Sequence, residues 1–142
     1  MIKMKVAGSP IGHSLSPLLH NHAYQSLNVA AEFTSEEVDE LSFPDFYYKC
    51  RDSGFRGLAL TMPLKEIAIG FADRVDPIAK QIASVNTIIF ESTGSIGVST
   101  DLLAFKNLLV PYFGKRVAIL GAGGTARAAI GALNGTNTQA VS

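Results

Sequence analysis

Polar side chains that could do chemistry gather in four short segments, each placed where a predicted strand begins or ends. The segments cover residues 9–17, 61–66, 84–87 and 99–101. Proteins built of alternating strands and helices bind their ligands at the ends of strands. Each segment is therefore a candidate part of a binding or catalytic site.

The first of these segments carries two closely spaced hydroxyls at the turn into a predicted helix. Ser14 and Ser16 could together hold a carboxylate there, because a helix N-terminus favours an anion. Ser16 precedes Pro17 and also has the position of a helix N-cap, a role that needs no ligand. From the residues alone, both interpretations stay open.

The other three segments each contain one residue with chemical potential. Lys65 follows a strand end and a proline turn, which place it toward the edge of the sheet. There it could be either a catalytic lysine or a solvated one. Asn86 begins a strand and could serve either a ligand or the backbone of the turn. Asp101 has the position of a helix N-cap as well as that of a site carboxylate.

A glycine-rich turn near the end of the sequence points to a phosphate ligand. Residues 115–120 read as a buried parallel strand and residues 126–133 as a helix. Between them, Gly121, Ala122, Gly123, Gly124, Thr125 and Ala126 fit the G-x-G-x-x-A pattern of a dinucleotide-binding turn. Such a turn brings backbone close to a pyrophosphate at a helix N-terminus, although a tight turn without a ligand would use the same glycines.

The elements that must position these residues alternate along the chain. Strands are predicted at 3–7, 31–34, 57–61, 86–90 and 96–98, the last two as a hairpin around a turn at 91–94, and helices at 16–27, 46–51, 65–71, 77–83 and from 101 to a stop at 111–114. Asp76 is predicted to cap the helix at 77–83, and Ser42 with Asp45 resembles a capping box before the helix at 46–51. Two sets of apolar residues are expected on helix faces: Leu18, Leu19, Ala23 and Leu27 on one side of the first helix, and Leu102, Leu103, Phe105, Leu108 and Leu109 packing inward from the last. This order predicts an α/β fold with an open, mostly parallel sheet flanked by helices.

The organisation predicts two domains. Residues 1–112 form the first, which carries the four polar segments, and residues 113–142 give the first strand, glycine turn and helix of a truncated NAD(P)-binding Rossmann domain. Residues 138–142 resemble the start of that domain's second strand. A βαβ unit needs about 30 residues, so we expect the sequence to be the front of a longer protein.

Composition excludes several functional classes. Twelve basic and twelve acidic residues balance, so a basic stripe for nucleic acid or an anionic membrane is not expected. No apolar stretch approaches the ~20 residues of a membrane span, and the first residues do not read as a signal peptide. The single cysteine, Cys50, fits a small helix residue in a reducing, cytoplasmic setting. No metal site is predicted.

Five motifs in order resemble one family. They are Gly8-x-Pro-Ile-x-His-Ser-x-Ser-Pro17, Thr61-x-Pro-x-Lys-Glu66, Val85-Asn-Thr87, Thr100-Asp101 and Gly121-Ala-Gly-Gly-x-Ala126. In order and spacing they resemble the shikimate dehydrogenase family and its quinate/shikimate relatives, from about residue 6 to the end of the chain.

The resemblance implies an oxidoreductase that reversibly reduces 3-dehydroshikimate to shikimate, a step of aromatic amino acid biosynthesis, with NADP or, alternatively, NAD. It implies that Ser14 and Ser16 bind the substrate carboxylate. It also implies that Thr61 and Asn86, together with the pair formed by Lys65 and Asp101, surround the ring hydroxyls of the substrate. That pair would carry the proton transfer, with the lysine stabilising alkoxide charge and the carboxylate holding it in place. We treat the two as a coupled dyad in which the formal base stays open.

The chain departs from the family pattern at Ala59, Ser84 and Ser99, and two of these changes remove side-chain amides near the implied site. A substrate such as quinate or an amino-shikimate is therefore one alternative. A non-catalytic shikimate-binding or assembly module is another, and a homodimer formed through an open strand edge is also left open. We expect these 142 residues alone not to turn over.

Overall fold

A computed structural model describes residues 1–141 and contains a six-stranded sheet in the order β2-β1-β3-β5-β6-β4. The strands are β1 (Ile2–Gly8), β2 (Ala31–Glu37), β3 (Gly57–Leu60), β4 (Arg74–Val75), β5 (Thr87–Glu91) and β6 (Gly94–Val98). β1 pairs in parallel with β2 and β3, and β4 pairs in parallel with β6. β5 is antiparallel to both of its neighbours, so the sheet is mixed but mostly parallel. The predicted α/β class is confirmed.

Residues 1–141 contain six helices: α1 (Ser16–Ser26), α2 (Phe43–Asp52), α3 (Leu64–Ile67), α4 (Pro77–Gln81), α5 (Thr100–Leu108) and α6 (Gly124–Leu133). Short 3₁₀ turns follow α3 and α5, at Ala68–Gly70 and Val110–Tyr112. Among residues 1–141, no helix is long and apolar enough to cross a membrane.

The main core lies between the sheet and the helices that follow β2 and β3. Its largest fully buried side chains include Tyr47, Phe43, Leu58, Leu64 and Ile88. The Tyr47 hydroxyl lies 2.7 Å from Ser95 Oγ, and Ser95 Oγ in turn donates to Asp73 Oδ2 at 2.7 Å. This chain of hydrogen bonds, buried at Tyr47 and Ser95, ties α2 to the start of β6 and to the loop before β4, which holds the short edge strand in place.

A separate two-stranded sheet follows the six-stranded one in the sequence. β7 (Arg116–Ala118) pairs in parallel with β8 (Gln139–Val141), and α6 connects them. The predicted strand–turn–helix order is present, but β7 is shorter than predicted and not buried, since Arg116 and Ala118 are exposed. β8 falls where a second strand was predicted, and Ser142 lies outside the described residues.

The leucines of α1 are exposed, and the prediction that the apolar residues of α5 pack inward is wrong in part. Leu18 and Leu19 of α1 and Leu27, which follows it, are 69%, 66% and 72% exposed, because this helix contacts the sheet mainly through other residues of its surface. In α5, Leu102 is buried but Leu103 and Leu108 are exposed. Only one face of α5 meets α6, so apolar residues on its other face stay outside.

Of the four possible helix caps, the one at Asp76 is confirmed, and the side chains of Ser16, Ser42 and Asp101 form no cap hydrogen bond. Asp76 caps α4 as predicted, accepting from the N–H groups of Ile78 and Ala79. Ser16 is the first residue of α1 and not its cap. Ser42 Oγ pairs with Asp39 instead of forming a capping box, and Asp101 turns toward Lys65. At Ser42 and Asp101 another side chain, that of Asp39 and of Lys65 respectively, binds the polar group that would otherwise cap the helix.

Candidate functional site

The centre of the site is an ion pair between two residues from distant parts of the sequence. Lys65 lies on α3 just after β3, and Asp101 lies in the first turn of α5 just after β6. Lys65 Nζ donates to Asp101 Oδ2 at 2.6 Å, and the two side chains are 13% and 26% exposed. The structure therefore brings these two sequence-predicted residues together in a partly buried position that a ligand can still reach.

Asn86 fixes the carboxylate of this pair. Its Nδ2 group donates to Asp101 Oδ1 at 2.8 Å and to Thr100 Oγ1 at 2.8 Å, while its Oδ1 accepts the Thr100 N–H at 2.8 Å. The orientation of Asp101 is thus set from one side by Asn86 and from the other by Lys65. Thr100 is a supporting residue that the sequence motif contained but that sequence reasoning did not single out.

The approach of β1 to Thr61 explains the glycine at the start of the first motif. A Cβ on Gly8 would lie 2.3 Å from Thr61 Cγ2 and 2.7 Å from the Met62 carbonyl oxygen. The Thr61 N–H donates to the Ala7 carbonyl at 2.9 Å, which joins the ends of β1 and β3. Only a glycine at position 8 lets Thr61 lie this close to β1. Thr61 thereby forms part of the wall of the cleft that Lys65 also lines.

Ser14 and Ser16 lie half-buried at the start of α1. Ser14 Oγ accepts the Ser16 N–H at 3.3 Å, so Ser14 is the residue that serves the helix start. Among the described residues, these two serines do not line the cleft beside Lys65. The structure supplies the pair of hydroxyls without bringing them into contact with the ion pair.

Glu37 holds the loop that leads to these serines, a role that sequence reasoning missed. Its carboxylate accepts from Ser9 Oγ at 2.7 Å and from the Ile11 N–H at 3.0 Å. These two hydrogen bonds lower the pKa of Glu37, the bond from Ser9 contributing most. A glutamate at the end of β2 carries no motif, so only its pairing with a loop 26 to 28 residues away reveals it.

The glycine turn lies directly against Lys65. Gly121 has a φ of +125°, and Gly123 precedes the first residue of α6. A Cβ on Gly124 would lie 2.7 Å from Ser84 Oγ and 3.1 Å from Lys65 Cβ. The third glycine therefore allows α6 to approach the elements that carry the ion pair.

A cleft of about 740 Å³ opens between the turn and the end of β3. Its lining contains Thr61, Lys65, Gly121, Gly123 and Thr125. A Cβ added at Gly121 or Gly123 would have no atom of another described residue within 4 Å, so there is open space beside both glycines. Among the described residues, no side chain caps the first N–H groups of α6. Free amides, a helix N-terminus and open space beside glycines fit the phosphates of a dinucleotide.

The comparisons with known proteins agree with one another. The family model for the shikimate dehydrogenase substrate binding domain matches residues 6–88. The shikimate dehydrogenase (NADP(+)) of Syntrophobacter fumaroxidans is 43% identical over 126 residues, covering 87% of this chain and 43% of the relative. A crystal structure of shikimate dehydrogenase from Aquifex aeolicus matches with a TM-score of 0.91 at 30% identity, over 99% of this chain and 54% of that one.

A structure of the Thermus thermophilus enzyme in complex with NADP(H) and shikimate matches with a TM-score of 0.90 at 34% identity, over 99% of this chain and 55% of that one. The chain spans about half the length of the relatives it matches. Its fold and its polar cluster define an α/β domain with a candidate ligand site, joined to a glycine-rich turn. More specifically, the chain belongs to the shikimate dehydrogenase family and contains its N-terminal substrate-binding domain.

Proposed function

We propose that this chain provides the substrate-binding domain and the start of the nucleotide-binding domain of an NADP-dependent shikimate dehydrogenase. The reaction is the reversible reduction of 3-dehydroshikimate to shikimate. The observation that carries the proposal is the Lys65–Asp101 ion pair, oriented by Asn86 and lying beside the glycine turn. Residues 1–112 would form the catalytic domain, and the Rossmann unit would begin at residue 113.

The substrate would lie across the carboxyl ends of the central strands. We assign its carboxylate to Ser14 and Ser16, because two hydroxyls at a helix N-terminus suit an anion. Its ring hydroxyls are assigned to Thr61, Asn86 and the ion pair. The geometry supports this assignment for Asn86 and Thr61 in particular, since the former contacts Asp101 and the latter lies on the cleft wall beside Lys65.

The nucleotide would be held by the backbone of residues 121–126, and it supplies or accepts the hydride. NADP is favoured over NAD because the relative from Syntrophobacter fumaroxidans carries NADP(+) in its name. When the substrate alcohol loses a hydride from carbon, its oxygen must lose a proton. Lys65 would stabilise the negative charge on that oxygen and move the proton, and Asp101 would keep the ammonium beside it.

We also propose a cytoplasmic location and leave a homodimer to experiment. Cys50 is buried in α2 with a pKa raised by that burial, so it is an inert thiol, as a reducing compartment permits. Light scattering of the purified protein would establish whether it forms a dimer.

Calorimetry with shikimate and quinate tests the substrate assignment. We expect shikimate to bind more tightly than quinate, and the substitutions Ser14→Ala and Ser16→Ala to weaken binding at least about tenfold each, since hydrogen bonds to a charged group contribute roughly 1.5–3 kcal/mol. Ser92→Ala, an exposed serine in the turn between β5 and β6, is the matched control and should change nothing. Equal binding by the control and the two site variants would contradict the proposal.

A further inference from the structure

Lys65 makes a second contact that joins the ion pair to the glycine turn. Its Nζ atom donates to Thr125 Oγ1 at 3.1 Å, in addition to the 2.6 Å contact with Asp101. Thr125 lies in the first turn of α6, sixty residues further along the chain. The side chain that would move the proton thus touches the element that would hold the phosphates.

The donors and acceptors of these groups define what the contact can do. A lysine ammonium has three donors and no acceptor, and two of the three are directed to Asp101 and Thr125. One donor remains for a ligand oxygen. The Thr125 hydroxyl uses an oxygen lone pair to accept from Lys65, so its own hydrogen is available for an acceptor at the N-terminus of α6, where anions are favoured.

Packing keeps the two elements at this distance. Gly124 lies so close to Lys65 that an added Cβ would be 3.1 Å from both Cβ and Cδ of the lysine. One turn further along α6, Arg127 forms an ion pair at 3.2 Å with Glu66, the residue that follows Lys65. The stem of Lys65 is therefore restrained by contact with the turn, and its ammonium is directed by Thr125 and Asp101.

We infer that Thr125 is a positioning residue for Lys65, and that its hydroxyl couples the orientation of the ammonium to an anion bound at the glycine turn. The positioning part rests on the observed contacts alone. The coupling part rests on the proposed function, because it requires that the turn bind phosphates. The two parts can be tested separately.

The positioning part is tested by NMR of the Lys65 side-chain ammonium in the ligand-free protein. Thr125→Val removes the hydroxyl and keeps the shape, and Thr125 is exposed, so the fold should be retained. We expect the Lys65 Nζ hydrogens to exchange with water about fivefold faster, the factor that corresponds to one lost hydrogen bond of about 1 kcal/mol. Thr125→Ser, which keeps a hydroxyl, should restore the slow exchange, and Thr93→Val in an exposed turn should have no effect.

The coupling part is tested by adding inorganic pyrophosphate to the same samples. We expect the Lys65 Nζ signal to shift in the wild type and in Thr125→Ser, but not in Thr125→Val. Unchanged exchange in both Thr125→Val and Thr125→Ala would overturn the positioning role, whatever the enzyme's substrate. Faster exchange without any shift on adding pyrophosphate would overturn the coupling alone. Failure of the proposed function would instead appear in the shikimate calorimetry, which does not involve Thr125.

Discussion

At the scale of single residues, the site depends on Asn86 more than its chemistry suggests. An amide does not take part in proton transfer, yet this one makes three hydrogen bonds at 2.8 Å that join the residue before β5 to the start of α5. It satisfies one backbone N–H and one carboxylate oxygen, so the direction of Asp101 is set before any ligand binds. Asn86 therefore links the stability of the domain to the geometry of the ion pair.

Replacing Asn86 by alanine should lower both stability and ligand affinity. We expect the free energy of unfolding in urea to fall by about 1–3 kcal/mol, because the Thr100 N–H and Asp101 Oδ1 lose their partner. Shikimate binding should weaken as well. Asn107→Ala, on an exposed part of α5, serves as the control and should be close to neutral. A loss of stability of the same size in both variants would show that Asn86 has no special structural role.

Glu37 predicts a specific dependence of stability on pH. The hydrogen bonds from Ser9 and Ile11 hold the pKa of Glu37 below its ordinary value of 4.5. Its contribution to stability is therefore fully present above about pH 4.5 and is lost as the pH falls through the lower value of the folded state. Asp39 and Asp73 have lowered pKa values for similar reasons, so they also contribute to acid sensitivity.

The substitution Glu37→Gln isolates this contribution. A glutamine amide has one oxygen, so it can accept from Ser9 Oγ but cannot replace both carboxylate oxygens that Ser9 and Ile11 contact. The free energy of unfolding should therefore fall at pH 7, and the decline of that free energy below pH 4.5 should become less steep. Urea unfolding at pH 3, 4, 5 and 7 would measure both effects. Glu32→Gln, an exposed glutamate on the same strand, should leave the profile unchanged. Parallel profiles for the wild type and Glu37→Gln would refute the assignment.

At the scale of helices and strands, the sequence correctly predicted the features that depend on residues close together in the chain. The hairpin of β5 and β6 and the Asp76 cap of α4 depend on turn residues and alternation, and both are present. The burial of β7 and of two leucines in α5 was predicted wrongly, because burial depends on which neighbour covers a face. Likewise, the motif residues located Lys65 and Asp101, whereas the supporting roles of Glu37 and Thr125 depend on contacts that only the folded chain creates.

The packing of α6 against α4 and α5 depends on a small residue. A Cβ on Gly131 would lie 2.5 Å from Ile82 Cγ2 and 3.1 Å from Leu102 Cδ1. Alanine is the better helix former by up to about 1 kcal/mol, but overpacking against a stiff β-branched side chain costs roughly 1–3 kcal/mol. Gly131→Ala should therefore lower the thermal midpoint.

A double-mutant cycle distinguishes a steric effect from a general one. Ile82→Ala removes the methyl group that the new Cβ would meet, so Gly131→Ala should cost less stability in that background than in the wild type. Strictly additive effects on the free energy of unfolding would mean that the close approach of α6 to α4 is not what makes glycine necessary at this position.

At the scale of the whole molecule, the hydrophobic cores divide unequally across the predicted domain boundary. The large cluster around Phe43, Tyr47 and Leu58 and the smaller one around Val6 and Phe33 lie wholly within residues 1–112. The third cluster crosses the boundary, because Ala128 of α6 packs against Ile82 and Leu102. Residues 1–112 thus contain a complete sheet and its core, and the following segment covers one face of α4 and α5.

This distribution predicts the result of ending the chain after Tyr112. The six-stranded sheet should still form, since its core and pairings are intact, and most amide signals of residues 1–98 should be retained. Stability should fall by about 2 kcal/mol or more, because Ile82 and Leu102 become exposed. Hydrogen exchange should accelerate most in α4 and α5. The control is Leu120→Ser in the full chain, where the side chain is already 99% exposed, and it should not accelerate this exchange. If residues 1–112 were unfolded, the boundary at 112 would be wrong, and the glycine turn would belong to the same folding unit as the substrate-binding sheet.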